Sequence, residues 1–193
     1  MKKVSNTMRT LGTSTHAIED REINDYYATD PIAGELLLQL EPQLNNIWEC
    51  ACGEGHLAEV FEQAGKLGFA TDIINRGYGH DTFDFLQSLT QIYNGDIVTN
   101  PPFKYAQQFI EKALDIISYD RYVCMFLKLQ FLKGKTRKEM FEKYPPIRVW
   151  VSSSRITCAK NGKFDEYPSS AVCYAWFIWK KGYKGTTELK WFN

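Results

Sequence analysis

Asp96-Ile97-Val98-Thr99-Asn100-Pro101-Pro102-Phe103 reads as the end of a buried strand running into a rigid polar corner with an aromatic attached. Proline fixes its own φ near about −65° and holds the residue before it extended. Asn100 and Pro101 each precede a proline, so the carbonyls of this corner point in preset directions. Neither proline has an N–H, so the corner presents acceptors. Asn100 adds one side-chain carbonyl oxygen and two amide donors. Phe103 adds a flat apolar face. Two fixed acceptors beside an aromatic plate suit a planar molecule carrying an NH2 group. Taken alone, the tetrapeptide is equally compatible with a strand end and an ordinary proline turn.

The chain upstream narrows that choice. Ile47-Trp48-Glu49-Cys50 reads as a strand, followed by the turn Ala51-Cys52-Gly53-Glu54-Gly55-His56. Leu57, Val60, Phe61 and Ala64 then mark an amphipathic helix, and Gly65 stops it. Glycines let the backbone pass close to a ligand, and the helix N-terminus leaves donor N–H groups aimed into the turn. Gly68 to Ile73 is a second short strand ending in Asp72. In nucleoside-binding α/β folds an acid at this strand end accepts hydrogen bonds from ribose hydroxyls. Asn94-Gly95 is a turn pair that leads into the strand Asp96 to Thr99. The glycine turn, Asp72 and the proline corner therefore all close strands. In open parallel sheets ligands bind beyond those carboxyl ends.

Other segments complete the frame. Asp30-Pro31 is an N-cap followed by a first-turn proline, and Ile32, Leu36, Leu37 and Leu40 predict a helix from Pro31 to about Glu41. Ala106, Phe109, Ile110, Ala113, Leu114 and Ile117 repeat at helical spacing, and Arg137, Met140 and Phe141 mark a shorter helix. Tyr122 to Leu127 is a continuous apolar run and so a buried strand. Ile147–Val151 and Ala171–Trp179 predict two last strands forming a C-terminal antiparallel hairpin, with a polar loop over 152–170. The expectation is an α/β, Rossmann-like fold with a mostly parallel seven-stranded sheet and helices on both faces. Residues 1–24 read as a polar arm, either loosely ordered or folded over a ligand, and 25–193 as a single domain.

Composition excludes several classes. Lys plus Arg equals Asp plus Glu, so the formal net charge is zero. That argues against a strongly basic non-specific nucleic-acid binder, whose affinity comes from neutralising phosphates, but not against a local basic patch. No apolar run is long enough to cross a bilayer, and no apolar region follows Lys2 and Lys3 as a signal peptide requires. Five cysteines, an odd count without paired spacing, suit a reducing cytosol. Cys50 and Cys52 stand too close for a zinc half-site and read as small residues beside the turn. Cys124 and Cys173 sit in apolar runs and read as core, and the three histidines are scattered, so no metal is expected.

Asn-Pro-Pro-Phe matches the catalytic motif of amino-methyltransferases that use S-adenosylmethionine (SAM). The order of Tyr27-Ala28-Thr29-Asp30-Pro31, the Glu49–Gly55 turn, Asp72 and then residues 100–103 resembles the DNA adenine-N6 methyltransferases of the gamma arrangement. Leu127-Lys128-Leu129-Gln130-Phe131-Leu132 with Arg137, and the Ser-Ser-Ala-Val-Cys-Tyr-Ala-Trp ending, resemble the small phage and prophage members. The likeness covers about residues 26 to 180 and implies a cytoplasmic enzyme of a bacterial or phage-infected cell. It implies Asn100, Pro101, Pro102 and Phe103 as catalytic, with Phe103 also stacking on a flipped base. It implies SAM held by Tyr27, Thr29, Asp30, Glu49, Ala51, Gly53, Gly55, Asp72, Ile73, Asp84, Phe85 and Asn100. Asp84 would meet the adenine amine, with Phe85 beside it and Ile73 on the ring.

DNA is the expected partner, with Phe164 as the second aromatic on the flipped base and Trp150 as the alternative. Lys160, Lys163 and Arg155 would meet phosphate. Larger relatives carry a separate target-recognition domain, and about fourteen residues after the expected last strand are too few for one. Specificity would then reside in the 152–170 loop, the arm, or a recognition partner or second copy. RNA bases and a protein glutamine amide are alternative acceptors for such a corner, and a SAM-binding regulatory subunit without catalysis is a further reading.

Overall fold

The computed structural model describes residues 26–87, 91–160, 162–166 and 172–193. The expected arm at 1–24 lies outside the described residues, as do parts of the 152–170 loop. In chain order the elements are β1 (Tyr27–Thr29), α1 (Ile32–Leu40), β2 (Ile47–Glu49), α2 (His56–Gln63), β3 (Leu67–Asp72), β4 (Asp81–Thr82) and β5 (Asp96–Thr99). There follow α3 (Ala106–Ile116), β6 (Tyr122–Lys128), α4 (Lys135–Lys143), β7 (Arg148–Ser152), β8 (Cys158–Lys160), β9 (Tyr174–Lys180) and β10 (Glu188–Phe192).

Eight strands form one sheet in the order β10-β7-β9-β6-β5-β2-β3-β4. β9 runs antiparallel to both neighbours, and the other pairs are parallel. The expected hairpin forms: Arg148 stands opposite Ile178, and Val151 opposite Ala175. It is not the end of the sheet, because β10 adds a parallel edge strand beside β7. Among the described residues the sheet thus has eight strands rather than the expected seven. β4, two residues long, and β10, with charges at Glu188 and Lys190, carry too little apolar pattern to announce themselves. A separate small sheet pairs β1 antiparallel with β8. β8 falls inside the expected 152–170 loop, because three residues set no periodicity.

Alternation along the strands sorts side chains to two faces. Val123, Met125, Leu127, Phe177 and Trp179 pack with α3 and α4, including Phe109, Ile110 and Met140. Cys124, Phe126, Trp176 and Ile178 pack with α1 and α2, including Leu37, Leu57 and Phe61. Asp30 Oδ1 accepts the Ile32 N–H (3.1 Å) at the start of α1, as its position before Pro31 predicts. α2 closes through Gly65, at φ 66°, with Lys66 N–H on Phe61 O and Gly65 N–H on Glu62 O.

Glu41, buried at the end of α1, receives Arg148 Nε (2.7 Å) and Trp150 Nε1 (2.8 Å). Burial pushes this carboxyl up, but the hydrogen bonds from Arg148, Trp150 and Gln43 outweigh that and hold it below its ordinary value. Cys50, Cys52, Cys124 and Cys158 are buried thiols, whereas Cys173 is exposed, contrary to its expected core position. Cys173 precedes β9, where the chain has not yet entered the sheet. No helix among the described residues is long and apolar enough to cross a membrane.

Candidate active site

The carboxyl ends of β2, β3, β5 and β6 open onto one cleft of about 400 Å3. Its walls gather residues from all four strand ends and from β1. Among the described residues, no three or more His, Cys, Asp or Glu side chains converge as a metal site.

One half of the cleft is built by the glycine turn. Gly53 and Gly55 have φ of 57° and 92°, a region costly for residues with a Cβ. A Cβ on Gly53 would collide with the Tyr26 ring, and one on Gly55 with Tyr78. The Gly53 N–H donates to Asp72 Oδ2 (2.8 Å), and the Ile74 N–H to Asp72 Oδ1 (2.9 Å). Asp72 thus ties the turn to the end of β3 while lining the cleft. Each of its oxygens keeps a second lone pair for another donor. Ile73 is 53% exposed at the rim and lines the same wall, as does Ala51.

Glu49 ends β2 on the cleft wall and is only 2% exposed. Burial, then the negative charge of Asp72, drives its carboxyl well above the ordinary range. Its Oε2 has no hydrogen-bond partner among the described residues. Asp84 accepts the Leu86 N–H (3.0 Å) and also lines the cleft. Phe85 lines the cleft but is almost wholly buried in the core, packed edge-on against Trp48 at 5.4 Å.

The other half is the proline corner. The Asn100 side-chain amine donates to Thr29 Oγ1 (2.8 Å) and to the Tyr27 carbonyl (3.3 Å). With Nδ2 committed to β1, Oδ1 is the atom left to accept. Pro101, Pro102 and Phe103 line the cleft beside it, and Phe103 begins a 3-10 turn, Phe103–Tyr105. Phe131 meets the Phe103 ring edge-on at 6.3 Å. Lys128 Nζ lies 5.2 Å and Arg137 Cζ 5.5 Å from the Phe103 ring centre.

Tyr27 and Thr29 are thus on the cleft wall, whereas other expected residues stand elsewhere. Asp30 caps α1, and Gly53 and Gly55 are not on the cleft wall but shape the turn against Tyr26 and Tyr78. Phe164 packs on His56 at 5.3 Å, and His56 rather than Phe164 forms the wall. Lys160 pairs with Tyr27 in the β1–β8 ladder, Lys163 pairs with Glu166 (2.9 Å), and Arg155 is exposed. Trp150, held by Glu41, belongs to the packing of the α1 and α2 face.

Several wall residues escaped the sequence reading. Tyr26 accepts the Glu54 N–H (3.2 Å), and Arg76 lies 4.2 Å over its ring. Burial raises the Tyr26 hydroxyl well above its ordinary value. Tyr105, Tyr174 and Lys128 also line the cleft. Lys128 carried a signal, as the charge ending an apolar strand on the ligand edge. Arg76 carried only its nearness to Asp72.

No protein-family model and no curated protein matches this chain. Solved structures do. A candidate RNA methyltransferase from Pyrococcus horikoshii superposes with a TM-score of 0.57 at 14% identity, over 82% of this chain and 88% of that one. A candidate class I SAM-dependent methyltransferase from Listeria monocytogenes gives 0.54 at 13% identity, over 83% of this chain and 62% of that one. A component of a type I restriction-modification complex gives 0.53 at 15% identity, over 85% of this chain and 46% of that one.

The fold is that of the class I SAM-dependent methyltransferases. The residues present fit such a cofactor. Glu49, whose buried Oε2 has no hydrogen-bond partner among the described residues, and Asp72 both line the cleft, where a cationic nucleoside would meet their carboxyl groups.

Proposed function

We infer that this chain methylates the exocyclic N6 amine of adenine in DNA. The observation that carries this reading is the direction of the Asn100 amide. Its nitrogen is spent on Thr29 and Tyr27, so its oxygen and the Pro101 carbonyl are the acceptors at the cleft. SAM would supply an electrophilic sulfonium methyl.

An adenine amine is a poor nucleophile because its lone pair is delocalised into the ring. Asn100 Oδ1 and Pro101 O would each take one amine hydrogen and draw the nitrogen towards tetrahedral geometry. Acceptors aimed in advance stabilise the charge developing there, each by about 3 kcal/mol if they resemble oxyanion-hole donors. Phe103 would stack on the base, a contact of roughly 1–3 kcal/mol. In a duplex the target must first leave the stack.

RNA is the second reading, favoured by the likeness to a candidate RNA methyltransferase. The likeness to a restriction-modification component favours DNA. Transfer from labelled SAM to DNA, RNA and protein in parallel, with digestion of each product, separates them. The expected label is N6-methyladenine from DNA. Label in RNA alone or in glutamine overturns the DNA assignment. SAM binding without transfer to any polymer favours a non-catalytic subunit.

A further inference from the structure

We propose that Lys128 and Arg137 clamp a backbone phosphate of the acceptor strand at the catalytic corner. This rests on the amine-methylating reading above for what the site does. It moves the phosphate contacts from the 152–170 loop to the end of β6 and the start of α4.

Lys128 ends β6 on the cleft wall. Its ammonium lies 5.2 Å from the Phe103 ring centre and 6.0 Å from that of Tyr27. Arg137 Nη1 donates to the Gln130 carbonyl (3.1 Å) and the Phe131 carbonyl (3.0 Å). That fixes its guanidinium over the Phe131 and Phe103 rings, at 4.7 and 5.5 Å. Among the described residues no carboxylate pairs with either cation. Residues 128–138 hold Lys128, Lys133, Lys135, Arg137 and Lys138 without one acid, in a chain of zero net charge. Lys133, Lys135 and Lys138 are exposed around them.

The chemistry makes this placement informative. Methyl transfer to an amine develops positive charge on the acceptor nitrogen. Two cations at the stacking ring, neither with a carboxylate partner among the described residues, oppose that charge. An anion carried in by the acceptor molecule cancels the opposition. A nucleotide brings its phosphate within reach of its own base, whereas a glutamine amide brings no anion. Arginine held flat by two carbonyls presents its remaining N–H groups in the fork geometry that suits phosphate oxygens.

The test is a salt titration of binding. A short fluorescein-labelled DNA duplex, its unpaired strand and the matching RNA are bound to wild type, Lys128→Gln, Arg137→Gln and Lys128→Arg, each with S-adenosylhomocysteine present. The log–log salt slope is expected to fall by about 0.9 per lost contact on duplex DNA. Affinity for the preferred polymer should drop about tenfold for Lys128→Gln, in the range of a lost charged hydrogen bond. Lys128→Arg should restore the slope, which a merely structural lysine would not do.

Arg137→Gln also removes two backbone hydrogen bonds, so Lys133→Gln/Lys135→Gln/Lys138→Gln at the exposed rim serves as a second variant and should lower the slope as well. Unchanged slopes in folded Lys128→Gln and in the triple variant overturn the clamp. So does equal sensitivity of an acidic glutamine-bearing peptide to Lys128→Gln. Wild-type methyl transfer tests the reading above, and the salt slope tests the clamp, so each fails independently of the other.

Discussion

The two halves of the cleft are built by different means. The half proposed for the cofactor is held mainly by nearer neighbours in the chain: Gly53 and Gly55 set the turn by positive φ, Asp72 reaches back nineteen residues to the Gly53 N–H, and Tyr26 takes the Glu54 N–H. The half proposed for the methyl acceptor depends on more distant ones. Asn100 is oriented by Thr29, seventy-one residues earlier. The lesson is that binding and turnover should separate on mutation, because each half can be loosened without the other.

The sharpest separation is expected from Asn100→Ala. Transfer should fall by at least about 100-fold, as for loss of an oxyanion-hole group, while SAM affinity is retained. Single-turnover rates beside calorimetric SAM binding check this, and turnover near wild type would remove the role assigned to Asn100.

Asp72→Ala attacks the other half. SAM affinity should drop at least tenfold, about 1.4 kcal/mol. The turn should loosen too, since the Gly53 and Ile74 N–H groups lose their acceptor. An unchanged dissociation constant would contradict a cofactor contact at Asp72.

Thr29→Val is a milder break across the long-range link. Losing one hydrogen bond of about 1 kcal/mol predicts roughly a fivefold loss of kcat. SAM affinity should stay within about twofold, because the glycine turn is untouched. If KM for SAM moves and kcat does not, the link serves the cofactor rather than the amide.

The smallest effect comes from pH. The Glu49 carboxyl sits well above its ordinary 4.5 through burial and then the charge of Asp72. A raised folded value means that its stability contribution is present below 4.5 and is lost as pH rises through the folded value. A cationic cofactor favours the carboxylate, so SAM binding should release a proton and tighten by a few-fold as pH rises through that interval. Calorimetry in buffers of different ionisation enthalpy reads the proton directly. Proton uptake, or an unaltered profile in Glu49→Gln, would remove Glu49 from the cofactor site.

Much of this was legible in one dimension, for a physical reason. The period of apolar residues, Gly65 after a helix and Asp30 before Pro31 act within a few residues, so they specify local backbone wherever they occur. The strand–turn–helix of Glu49 to Gln63, the acid ending β3 and the corner at Asn100 follow from such rules, and parallel strands must then deliver those ends to one edge. Composition likewise bounds the charge. Among the residues that do not reach the cleft wall, Phe164, Lys160 and Lys163 rest on chemical type and a place in the 152–170 loop, neither of which fixes where a side chain points.

Folding in three dimensions added what local rules cannot carry. Whether an amide presents oxygen or nitrogen depends on partners from remote elements, here Tyr27 and Thr29 on β1. β1 itself is positioned by β8, a strand too short to read. The cations over Phe103 come from the end of β6 and from α4, brought to one ring by packing rather than by spacing. The sequence alone therefore determined the backbone frame and its ligand edge, because those arise from short-range sterics and burial. The direction of each polar atom at that edge came from tertiary contacts, because hydrogen-bond partners are chosen by proximity in space.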